Sequence, residues 1–187
     1  MPDSAVKVDT AVETAPPPPP PPPLDLALNL NLDLALELKL IPNPLSQPAL
    51  LAALTRTERA SFPPPERLPF PHTLAPQRHN TSLHCTFDRA TSTLLAYLVL
   101  TRTRRTVLLH KLCVLPAHRG RGVGTWTVRA AVAGLRARGA AGRVQLWVDE
   151  GRGAARRVYA RCGFVEVERV EAYYGPGRTG VRMVVEL

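Results

Sequence analysis

Val114-Leu115-Pro116-Ala117-His118-Arg119-Gly120-Arg121-Gly122-Val123-Gly124 joins an apolar run to a stretch of helical character. The run Val107–Leu115 reads as a strand stopped by Pro116, and a helix is predicted from Gly122 to Arg138, closed by Gly139. Between them lie Arg119, Gly122 and Gly124 in the order Arg-x-x-Gly-x-Gly. Glycine has no Cβ, so ligand atoms can come close to the backbone. The first N–H groups of a helix lack internal partners, and the helix dipole favours negative charge beside them. The physical reading is a pyrophosphate cradle built from Arg119, Gly120, Arg121, Gly122, Val123, Gly124 and the helix start at Thr125. A dinucleotide fingerprint would put Gly-x-Gly-x-x-Gly directly after the strand, with an acid about 20 residues further on. A Walker loop would need Gly-Lys-Ser/Thr. The chain has neither pattern.

Outward from this loop, strand and helix signals alternate. Leucine fills every second position from Leu24 to Leu40. A period of two puts them on one face of a strand, and about 34–40 is predicted as the first ordered strand. Ser46 offers an N-cap, with Pro48 in the first turn, for a helix running to about Ala60 on a stripe of Leu50, Leu51 and Leu54. Six prolines between 62 and 80 argue against a long helix there. Strands are expected at Leu83–Phe87 and Thr93–Leu100 before the cradle, and at Val144–Val148, Val165–Val170 and Val181–Leu187 after it. A helix over Gly153–Arg161 falls among the later ones. The order β-α-β-β-β-α-β-α-β-β predicts an α/β sandwich around one mixed sheet.

Composition bounds the rest. The 187 residues have room for one ordinary domain, predicted over 34–187, with a tail ahead of it. Pro16–Pro23 lies in that tail and reads as polyproline II, so 1–23 is expected to be disordered and to suit a partner that binds proline-rich segments. Residues 24–33 read as a leucine-rich lead-in. No apolar stretch reaches about 18 residues and no signal-peptide layout opens the chain, so a soluble cytoplasmic or nuclear protein without membrane contact is expected. Cys85, Cys113 and Cys162 have no metal-ligand spacing and read as reduced, packed thiols. The net charge is +9, and because the first 40 residues hold six acids against two lysines, the remainder carries +13. That charge is mostly arginine scattered among alanine and proline, without a nucleic-acid readout motif.

Three groups of residues together resemble the GNAT superfamily of acyl-CoA N-acyltransferases. They are Leu112-Cys113-Val114-Leu115-Pro116, the Arg119-x-x-Gly122-x-Gly124 loop, and Ala155-x-x-x-Tyr159-x-x-x-Gly163-Phe164. A weaker match, Glu58-x-x-Ser61-Phe62-Pro63, falls on the first helix. Tyr173-Tyr174 before a Gly/Pro loop and a terminal strand with Met183 is similar to the N-terminal acetyltransferases of the ribosomal-protein (Rim) and Naa types. His110-x-Leu112-x-Val114 instead resembles the arylalkylamine N-acetyltransferases.

The resemblance implies the GNAT fold, a mixed, mostly antiparallel sheet flanked by helices, and acetyl transfer from acetyl-CoA to a primary amine of a peptide or a small molecule. It puts the pyrophosphate on residues 119–125 and the pantetheine arm along the edge of Leu112, Cys113 and Val114. Tyr159 would be the general acid, and a phenol near pKa 10 suits a departing thiolate. In the Rim and Naa types the base sits twelve residues before this tyrosine, where this chain has Trp147. His110 is the substitute, with Asp149 and Glu150 as further candidates, although acids at a strand end are expected to be solvated. Arg152 replaces an asparagine that contacts pantetheine in relatives, and would bind a CoA phosphate or lie in solvent. Phe62, Tyr173 and Tyr174 are expected to touch the acceptor, while Trp126 and Trp147 read as core. Competing readings are a GNAT-like binding module without catalysis and a nucleic-acid-binding domain.

Overall fold

A seven-stranded sheet with strand order β1-β2-β3-β4-β5-β7-β6 forms the body of the protein. The computed structural model describes residues 32–33, 35–70, 80–140 and 142–187. The proline run Pro16–Pro23, most of the leucine-rich lead-in, His72 and His79 lie outside them. The strands are β1 (Leu36–Ile41), β2 (Thr81–Asp88), β3 (Leu94–Arg102), β4 (Thr106–Val114), β5 (Arg143–Asp149), β6 (Val165–Val170) and β7 (Gly180–Glu186). Helices α1 (Pro48–Ser61), α2 (Val123–Ala137) and α3 (Gly153–Arg161) complete the predicted order. All neighbouring strands pair antiparallel except β4 with β5.

The sheet is buried on both faces. On one, α2, α3 and the turn after α3 lay Val128, Val132, Leu135, Tyr159 and Phe164 over Val107, Leu109, Val144, Leu146 and Met183. On the other, Leu54 of α1 meets Leu83, Cys85, Tyr97, Val99 and Cys113. Burial on both sides explains why β3 reads as a nearly continuous apolar run rather than an alternation.

Local corrections to the sequence reading have simple causes. Leu32, Asp33 and Ala35 are helical, so β1 starts at Leu36 although the leucine alternation begins well upstream. Leu32 packs beside Leu36, Leu95 and Trp126, and Asp33 accepts a hydrogen bond from the Trp126 indole at 2.5 Å. These contacts override the period of two. Ser46 does not cap α1; it donates to the Asn43 carbonyl within its own 3-10 turn, and Gln47 precedes Pro48 without a side-chain cap. Residues 62–70 hold only a 3-10 turn at Pro64–Glu66.

His84 on β2 is buried, and its Nε2 lies 3.2 Å from the Ser82 hydroxyl. Burial, with a smaller push from Arg138, lowers the imidazole pKa from 6.5 to about 4. The unfolded chain therefore takes up this proton first, so the contribution is complete above pH 6.5 and is lost as pH falls towards about 4. Urea midpoints should decline across that window, and His84→Gln should flatten the decline.

Candidate functional site

A β-bulge in β4 sets the geometry. Val99 pairs with Lys111 and Leu100 with Leu109, which leaves His110 as the extra residue. A single inserted residue reverses the faces of everything after it. Val107 and Leu109 thus face α2, whereas Lys111 and Cys113 face α1. Parallel pairing between β4 and β5 ends at Leu108 with Gln145, two residues before the bulge. Beyond that point β5 pairs only with β7, and the β4 edge that carries Leu112, Cys113 and Val114 opens away from it.

The glycine loop leads directly from this edge into α2. Gly120 and Gly122 hold φ of +74° and +80°, a region that costs residues with a Cβ. Gly124 is buried where a Cβ would meet the Val114 side chain at 3.2 Å, so its hydrogen lets α2 approach β4. The start of α2 has no side-chain cap and no acid in its first turn. The amides of Val123, Gly124 and Thr125 are therefore suited to a pyrophosphate. The Arg119 side chain is turned back, donating to the Val114 carbonyl at 2.9 Å and to the Ser61 hydroxyl at 2.8 Å. Arg121 is exposed on the loop.

Tyr159 is buried on α3, with its ring centroid 5.8 Å from that of Phe164. Burial raises its phenol pKa, Tyr174 and Cys162 push the same way, and Arg152 opposes them. Tyr159, Tyr174 and Arg152 are thus within electrostatic reach of one another.

The face of the sheet towards α1 carries a polar cluster the sequence did not announce. Glu58, 2% exposed, accepts hydrogen bonds from the Tyr97 hydroxyl and from the Leu68 amide at 2.9 Å. Its carboxylate lies 3.5 Å from Lys111 Nζ, whose side chain is 10% exposed. Lys111 also donates to the Glu66 carbonyl at 2.7 Å and sits 3.5 Å from the Phe62 ring centroid. Burial lowers the lysine pKa, and the Glu58 charge offsets part of that. Glu58 continues the α1 stripe four residues after Leu54, a readable sign that this acid points inward.

Next to it, Glu66 bridges two arginines. One oxygen accepts from Arg178 at 2.8 Å and the other from Arg152. Arg178 Nε also donates to Asp149 at 2.7 Å, and Arg178 lies over the Tyr174 ring at 5.4 Å. Burial alone would raise the pKa of Glu66 and of Asp149, but Arg178 and Arg152 hold Glu66 below its ordinary value, and the Gly151 amide together with the same arginines does so for Asp149. Asp149 is therefore buried and paired rather than solvated, and Glu150 pairs with Arg169. Arg152 points to Glu66 and the Phe62 ring (5.6 Å) while its side chain stays partly exposed. Nothing local in the sequence marks Glu66 or Arg178, which lie 112 residues apart.

Trp147 also departs from expectation. It is half-buried, and its ring stacks on Tyr173 with centroids 4.3 Å apart and planes 13° apart. Tyr173 in turn meets Tyr174 edge-on at 4.8 Å. Trp126 does pack beside a buried cluster, as expected. Gly180 makes the Trp147 stack possible, because a Cβ there would lie 2.6 Å from Tyr173 Cγ. Gly180→Ala should displace Tyr173, cost about 1–3 kcal/mol and change the tryptophan emission of the folded protein.

Residues 51–164, more than half of the chain, match the model of the acetyltransferase (GNAT) family, and the chain belongs to that family. It is an N-acetyltransferase whose acyl donor is acetyl-CoA, the donor used across the family. Solved structures agree on the fold. The ribosomal-protein-S18-alanine N-acetyltransferase from Escherichia coli superposes with a TM-score of 0.65 at 16% identity, over 81% of this chain and 93% of that one. An aminoglycoside 6'-N-acetyltransferase complexed with coenzyme A gives 0.67 at 15% identity, over 80% and 96%. The spermidine/spermine N-acetyltransferase SpeG from Vibrio cholerae gives 0.63 at 17% identity, over 86% and 95%. Comparison with curated protein sequences gave no match. Among the described residues no group of His, Cys, Asp or Glu could hold a metal, and no helix is long and apolar enough to cross a membrane.

Proposed function

We propose that the protein acetylates a protein N-terminal α-amine by direct attack on acetyl-CoA. The observation that carries this reading is the opening between β4 and β5 beside the uncapped, glycine-led start of α2. Residues 119–125 fit the pyrophosphate, and the β4 edge at Leu112, Cys113 and Val114 offers backbone groups to the pantetheine arm as a paired strand would. Bound there, acetyl-CoA supplies the thioester carbonyl that the amine attacks. Tyr159 stays protonated at neutral pH, so it carries the proton that the departing thiolate needs. Tyr173, Tyr174 and Trp147 wall the acceptor side.

His110 is the base in this reading. Glu66 and Asp149 are held ionised by arginines and accept a proton poorly at neutral pH. His110 sits at the bulge on the opened β4 edge, and imidazole titrates near working pH. His110→Ala should lower turnover by at least about tenfold and remove the acidic limb of its pH profile. The same aromatic wall favours an arylalkylamine as the second acceptor class. Mass spectrometry of peptides and arylalkylamines incubated with acetyl-CoA separates the two. Acetylated peptide α-amines support the first, and acetylation of arylalkylamines alone supports the second. No acetylated product from either class would overturn both.

A further inference from the structure

The charged groups described in the cleft balance. Glu58 is matched by Lys111, and Glu66 with Asp149 by Arg152 with Arg178. Around this neutral cleft the chain is basic, at +9 overall. A polycationic acceptor would find no surplus carboxylate there and a repulsive surface on approach.

Glu66 differs from its partners in origin. It comes from the 3-10 turn after α1. Its guanidinium partners come from later elements, Arg152 at the start of α3 and Arg178 in the loop between β6 and β7. Each carboxylate oxygen takes one guanidinium. The arginine side chains are both 39% exposed against 17% for Glu66, so solvent and solutes reach the donors more readily than the acid. Two convergent guanidiniums form a fork suited to a planar carboxylate. Tyr174 lies under one of them, and the Tyr159 phenol feels the other, so the fork adjoins the group assigned as the acid.

We propose that Arg152 and Arg178 are the carboxylate receptor of the acceptor site and that Glu66 is its resident occupant. The acceptor is an amine bearing a carboxylate, which takes Glu66's place between the two arginines. The exchange keeps the local charge balanced, one carboxylate for another. This rests on the acetyl-transfer reading of the same cleft.

Two matched acceptor pairs test it on the full chain with acetyl-CoA. Phenylalanine against phenethylamine represents a free amino acid, and the tripeptide amide Ala-Glu-Ala against Ala-Gln-Ala represents an acidic peptide. Calorimetric binding and turnover are both measured. The carboxylate-bearing member of at least one pair should bind about tenfold more tightly, and which pair responds identifies the source. Glu66→Gln should widen that preference, Arg178→Ala should erase it, and Arg169→Ala should leave it unchanged. Equal binding within both pairs in the wild-type protein overturns the proposal, as does a preference untouched by Arg178→Ala. Acetylation of phenethylamine without any carboxylate preference would sink this inference and spare the acetyl-transfer reading. Preferential binding without transfer would do the reverse.

Discussion

Tyr159→Phe is expected to lower kcat about a hundredfold while leaving acetyl-CoA affinity nearly unchanged. The substitution removes one oxygen and keeps the ring that packs against Phe164 within the core of α3, β5 and β7. Stability should change little, so a lost rate reads as chemistry. Burial keeps the phenol protonated, and Arg152 acts the other way, favouring the phenolate left once the proton has gone. In the proposed reading acetyl-CoA is held by the backbone of residues 112–125, which this change does not touch. Single-turnover rates paired with acetyl-CoA titrations check the split. An unchanged rate would remove Tyr159 from the mechanism, and a purely weakened affinity would make it a binding residue.

The largest expected loss of stability is at Glu58. Glu58→Ala leaves Lys111 largely buried without its carboxylate, and strips the Tyr97 hydroxyl and the Leu68 amide of an acceptor. Breaking a buried pair from one side costs about 3–5 kcal/mol, because the remaining charge is stranded. Removing both charges is far cheaper, so Glu58→Leu with Lys111→Met should recover most of the loss. Urea unfolding of the single and double variants measures this. A single variant within about 0.5 kcal/mol of wild type would mean that the pair is solvated and contributes little.

The glycine-led turn from β4 into α2 was legible because its signals are local. Arg119, Gly122 and Gly124 lie within six residues, and a proline marks where the strand stops. Element order was legible for the same reason, since each element is marked by its own apolar run or period and by the turn residues that bound it. The bulge was not. Apolar residues at 107–109 and again at 112–114 fit either strand phase, so the switch of faces at His110 left no mark in the pattern. Trp147 reads as core because a large apolar ring on a central strand usually is. Its partner Tyr173 arrives from a distant loop through a space that only Gly180 leaves open. Arg152 was assigned to phosphate or solvent because Glu66, 86 residues away, could not be foreseen as its partner. Glu58 alone was within reach, as an acid on an otherwise apolar stripe.

In the proposed mechanism an amine and acetyl-CoA meet in the opening between β4 and β5 and react without an acyl-enzyme. Steady-state release of the CoA thiol, with acetyl-CoA and acceptor both varied, tests it most directly. Intersecting double-reciprocal lines are expected, with no release above background until an amine is present. Parallel lines, or a burst of thiol without amine, would contradict it.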